Sequence, residues 1–249
     1  MLGISGGDPS FREDDGSANP ATAAALAAFA SGRGAEHAAL TALAGGRLLV
    51  PVLAVLADQL APDDFANTGP DGPGNDGPPE AEKASEMAMP TLIGLDGRRA
   101  VPAFTCLESM RSWQPDARPI PVLARLVWQA AAAESCAVVI DVAGPVPLAV
   151  EGARLAALAR GDAVPRPEED PDVREAVAEA LADELDVAAF QLGSGDDDAD
   201  LTIGLILVPD CADCDVHELA GKAQEAIMAR LGGRLRRGVA FRFGSPSAG

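Results

Sequence analysis

The stretch MAMPTLIGLDGRRAVPAFT, residues 87–105, constrains the fold most. Two apolar runs flank Asp96-Gly97, a pair that tolerates the positive φ values of a tight turn, so the segment predicts a β-hairpin. Thr105-x-x-Glu108 follows as a capping box that opens a short helix, LESMRSW. Beyond it, PVLARLVWQAAAA reads as a further helix and SCAVVIDVAGPVPLAV as two short strands around Ala143-Gly144. EGARLAALARG reads as a helix that stops at Gly161.

Upstream of the hairpin, Asn19 is placed to cap a helix whose first residue is Pro20. AEHAALTALAGG reads as a second helix, and RLLVPVLAVL, residues 47–56, as a buried strand. Residues 19–161 therefore form the first expected domain. Residues 1–18 are polar and Gly/Asp-rich, and are expected to be disordered. Residues 58–84 are Gly/Pro/Asp-rich without an apolar period, which predicts a long acidic loop inside that domain.

Residues 162–171 read as a linker. Asp170 is placed to cap a helix that begins at Pro171, with Val173, Val177, Leu181 and Leu185 at helical spacing. The strands DVAAFQLG and DLTIGLILVP, a helix over 215–231 and the strand GVAFRF follow. Residues 172–246 thus form a smaller α-β-β-α-β domain. The whole chain reads as α+β, with a mixed sheet and helices in its first domain.

Composition narrows the function. Of 249 residues, 48% are hydrophobic, which is enough for a packed core and excludes wholesale disorder. The formal net charge of -19 would repel a nucleic acid backbone and an anionic membrane surface, so neither is an expected partner. No run approaches the roughly 18 apolar residues of a spanning helix. The N-terminus MLGISGGDPSFREDDG has neither the basic nor the apolar region of a signal peptide. A cytoplasmic location is expected, with the four cysteines as reduced thiols.

Several motifs match a pattern without its context. G-I-S-G-G at residues 3–7 lacks the strand and helix that a nucleophile elbow needs. G-P-G-N-D-G at 72–77 is flanked by prolines and carboxylates, so it would not cradle a phosphate. S-G-D-D-D-A-D at 194–200 lacks the Gly and Glu of a calcium loop and reads as a solvated hairpin tip.

Cys211-x-x-Cys214, with His217 as a third ligand, is the alternative functional site, for thiol redox chemistry or metal binding. Asp210, Asp213 and Asp215 surround the pair and would raise the thiol pKa, against the thiolate that exchange requires. A closed zinc site would need a fourth ligand. The arginines 230, 234, 236, 237 and 242 stand out in so acidic a chain. Part of the cluster suits a helix C-terminus, and Arg236 and Arg237 are candidates for an anionic ligand or an acidic partner.

The sequence resembles the SseB family, named for enhanced serine sensitivity. The residues that carry the resemblance are FREDDGSANPATAAALAAF, RLLVPVLAVL, KASEMAMPTLIGLDGRRAVPAFTCLESMRSWQPDARPIPV and VVIDVAGPVPLAV, within residues 11–161. Cys106 stands where the family usually has Ser. The resemblance implies a two-domain, cytosolic α+β protein with no established enzymatic activity and no cofactor. We expect a non-enzymatic interaction or regulatory module with a protein partner. Lys83, Ser85 and Glu86 before the hairpin, and Thr105 and Arg125 after it, are its candidate binding residues.

Overall fold

The computed structural model describes residues 11–56, 85–95, 97–144, 147–208 and 216–244. It has an α+β fold with seven helices and ten strands among these residues.

Helix α1 (Pro20–Ala30) starts where Asn19 Oδ1 accepts the N–H groups of Ala21 at 2.9 Å and Thr22 at 3.3 Å. Helix α2 (Glu36–Ala44) ends at Gly45, and strand β1 (Arg47–Leu56) follows. Residues 11–18, expected to be disordered, are instead tied to this framework: Asp14 pairs with Arg47, and the carbonyl of Gly16 accepts the N–H of Leu107 at 2.8 Å.

Strands β2 (Ser85–Ala88) and β3 (Leu92–Ile93) divide the first arm of the expected hairpin between two sheets. β2 pairs antiparallel with the second half of β1, and β3 pairs antiparallel with β4 (Arg99–Ala103). The turn closes through Gly97 N–H to the carbonyl of Gly94 at 2.9 Å, with Gly97 at φ +79°. Helix α3 (Leu107–Trp113) is capped by Cys106, whose sulfur accepts the N–H of Ser109 at 3.4 Å. The expected Thr105 cap is thus displaced by one residue, because Thr105 bonds elsewhere.

Residues 118–123, part of which was expected to be helical, form strand β5 (Arg118–Leu123). β5 runs antiparallel to β1, with Pro121 opposite Leu49 and Pro119 opposite Pro51. The N–H and carbonyl of Leu49 bond to Phe104 on the other side. Leu49 and Pro121 are therefore a non-hydrogen-bonded pair, and both β5 prolines direct their nitrogens to the outer edge, where a missing donor is tolerated. Helix α4 (Ala124–Ala133) begins only after this strand.

Strands β6 (Ala137–Ile140) and β7 (Leu148–Val150) complete a four-stranded sheet of order β3-β4-β6-β7, in which β4 and β6 are parallel. The Leu49–Phe104 bridge joins it to the sheet β2-β1-β5. Helix α5 (Gly152–Arg160) ends at Gly161, which takes the left-handed conformation at φ 78°. Phe29, Leu40, Leu48, Trp128, Ile140 and Leu158 are among the fully buried side chains of this core.

The second unit follows the order α6 (Pro171–Ala180), β8 (Val187–Ser194), β9 (Leu201–Leu207), α7 (Val216–Leu231), β10 (Val239–Gly244). β9 is central, antiparallel to β8 and parallel to β10. Val173 and Val177 of α6 pack with Leu201, Ile203 and Leu205 of β9 and Ile227 of α7 in a core of their own. No helix among the described residues is long and apolar enough to cross a membrane.

Candidate functional site

Thr105 sits just past the end of β4, beside the end of the parallel strand β6. Its N–H donates to Asp141 Oδ1 at 2.9 Å, and its hydroxyl donates to Asp141 Oδ2 at 2.7 Å. Asp141 takes φ 48°, a left-handed conformation that Asp adopts more readily than most residues. On the opposite side, Arg47 donates from Nη1 to the Thr105 carbonyl at 2.8 Å. Its Nε and Nη2 grip both oxygens of Asp14, at 2.5 and 2.7 Å, in the bidentate geometry that suits a guanidinium. Arg47 and Thr105 line a cavity of about 410 Å³ together with Phe11, Asn19 and Leu43. The arrangement ties the N-terminal segment to two strand ends through Arg47, which bonds the Asp14 carboxylate and the carbonyls of Thr105 and Ser17.

A second polar cluster lies where the two units meet. Arg154 of α5 donates to Glu36 of α2 at 2.5 Å. Arg234, after α7, reaches Glu36 at 3.2 Å and pairs with Asp170. The other oxygen of Asp170 caps α6 by accepting the Asp172 N–H at 2.9 Å. The Asp170 side chain is wholly buried, and those of Arg154 and Glu36 nearly so. Two positive and two negative groups balance, which is what burial of charge demands. Burial pushes the Glu36 carboxyl above its ordinary range, and Arg154 and Arg234 pull against that push. Burial likewise lowers Arg154. For Arg234 burial acts downward too, but Glu36 and Asp170 outweigh it and the net direction is up.

Nearby, Asp172 Oδ2 accepts the N–H of Ala153 at 2.9 Å. Gly152 permits this approach: a Cβ there would lie 2.0 Å from Asp172 Oδ2, and its φ is +59°. Arg236 donates to the carbonyl of Ala30 at 2.7 Å, and its guanidinium lies 5.3 Å from the centroid of the Phe29 ring.

The sequence-derived candidates do not share one site. Thr105 belongs to the Arg47–Asp141 group. Arg125 is exposed and lines a different cavity, of about 280 Å³, with Gly45 and Leu158. Glu86 lies in β2, opposite Val55. Lys83, Cys211 and Cys214 fall outside the described residues, as does Asp96 of the hairpin turn. His217 is exposed in the first turn of α7. Among the described residues no group of three His, Cys, Asp or Glu side chains could hold a metal ion. Arg237 is bound to the chain itself, donating to Asp200 at 2.8 Å from its backbone and 2.9 Å from Nε. Asp200, read as part of a solvated tip, is buried by that pairing.

Two strongly exposed apolar side chains lie close together in the β3–β4 hairpin. Ile93 is 74% exposed and Leu95 112%. β3 is an edge strand. Arg98 and Arg99 follow the tip, in ion pairs with Glu151 at 2.6 Å and Glu134 at 3.6 Å.

A mixed sheet wrapped by α1, α2, α4 and α5, with an α-β-β-α-β unit fixed to it through buried charges, defines an α+β protein of two units. Residues 23–157, more than half of the chain, match the family model described as the SseB protein N-terminal domain. The chain belongs to the SseB family. No curated protein and no solved structure matches it.

Proposed function

We propose that this chain is a non-enzymatic interaction module that docks a protein partner through the tip of the β3–β4 hairpin. The observation that carries the reading is the pair Ile93, at the end of β3, and Leu95, in the turn that follows, both exposed to solvent. Burying such a side chain is worth about 1.5–3 kcal/mol, so two on one tip make an anchor that a partner's apolar pocket can take up. Leu185 is also 89% exposed, but it stands singly in its turn, where a lone aliphatic side chain is ordinary.

Leu95→Asp tests the reading. Full-length wild type and variant are used as bait in extracts of the source cells, with bound proteins measured by quantitative mass spectrometry. A near-stoichiometric protein held by the wild type and lost from an equally stable Leu95→Asp variant is the expected result. Equal retention by both, or catalytic turnover of a metabolite by a chain that holds no partner, overturns it.

A further inference from the structure

The two units bury different residues: the first has a large core from residues 29–164 and a smaller cluster of Leu49, Phe104, Met110 and Ala117, and the second has a core from 173–235. What crosses between them is largely polar. Arg234 bonds to Glu36, Asp172 to the Ala153 N–H, and Arg236 to the Ala30 carbonyl and the Phe29 ring. Arg154 braces Glu36 from the first unit, and Asp170 braces Arg234 from the start of the second. Among the described residues, Arg234 is thus the one side chain that joins both carboxylates.

Removing Arg234 would leave Asp170 buried without its ion-pair partner and Glu36 bonded to Arg154 alone. An uncompensated buried charge costs several kcal/mol, and the molecule relieves it by admitting water. Water can reach these groups by two routes. One is to unfold a core. The other is to separate the units, each of whose sheets keeps its own helices. The second route exposes far less apolar surface, so it is the less costly one.

We propose that Glu36, Arg154, Asp170 and Arg234 form a latch that fixes the two units against each other, and that releasing Arg234 opens the junction while both units stay folded. The segment between them carries Glu168, which accepts the Ser194 hydroxyl at 2.6 Å, and the exposed Glu169, so a rise over the wild-type rate of cutting by a glutamyl endoprotease reports release of the segment. In the full chain, Arg234→Gln is expected to raise the rate of cleavage after Glu168 or Glu169 at least about tenfold, since cleavage follows the population of the open form. The scattering radius should increase, and the far-UV circular dichroism should stay near that of the wild type. Asp170→Asn supplies a second variant: asparagine still caps α6 but offers no charge to Arg234, and the same pattern is expected. Arg230→Gln breaks an ion pair with Glu179 inside the second unit and should change none of these readings. Wild-type cleavage rate and radius in both Arg234→Gln and Asp170→Asn overturn the proposal. Loss of the helical signal with cleavage throughout the chain in both also overturns it, as does equal opening by Arg230→Gln.

Discussion

At the scale of single residues, Thr105 carries a role that its own surroundings in sequence do not disclose. Followed by Glu108, it has the spacing of a capping box, yet its hydroxyl and N–H both go to Asp141, 36 positions away. The cap passes to Cys106, whose sulfur is a weaker acceptor. Thr105→Val should cost about 1–3 kcal/mol in chemical denaturation, because one oxygen of the Asp141 carboxylate loses its donor. Thr105→Ser, which keeps the hydroxyl, should stay close to wild type. The junction residues were hidden from the sequence for the same reason. Glu36 and Arg154 are 118 positions apart, and Glu36 and Arg234 are 198 apart. No local pattern tells a buried, paired charge from a solvated one. By contrast Asp170, whose second function is an N-cap, was legible through its Asp-Pro pair.

At the scale of elements, the signals that proved readable were short-range ones. Asn19-Pro20, Asp170-Pro171, Gly161 and Gly97 each mark a place where the backbone needs a particular cap or φ, and the helices α1, α6 and α5 and the β3–β4 hairpin follow from them. Asn19→Ala is expected to cost about 1 kcal/mol, read as a lower midpoint in thermal unfolding, since two N–H groups of α1 lose their acceptor. Strand β5 was missed because two prolines in six residues erase its β-propensity. It forms because β1 supplies a partner and the prolines sit where no donor is called for. The first hairpin arm was read as one run. Pro90 separates it into β2 and β3, which join different sheets.

At the scale of the whole molecule, separate cores in the two units make stability separable. Leu40 and Ile227 are both fully buried, in different cores. Leu40→Ala and Ile227→Ala should each cost about 2–5 kcal/mol, and the double variant should show their sum to within about 0.5 kcal/mol in denaturant titrations. The α+β class and the order of the second unit were legible because apolar runs of strand and helix length alternate cleanly there. How the units meet was not, since the contacts that join them are charged side chains whose partners lie in the other unit.

The outward-facing nitrogens of Pro119 and Pro121 bear on crowding. An exposed strand edge offers a template on which a neighbouring chain can add itself, and repetition of that step builds a fibre. On β5 two consecutive outward positions have no hydrogen to give, so an incoming strand would find gaps in the ladder where it needs bonds. The sheet thus ends in a border that cannot be copied, and the molecule can be abundant without this edge becoming a seed for aggregation.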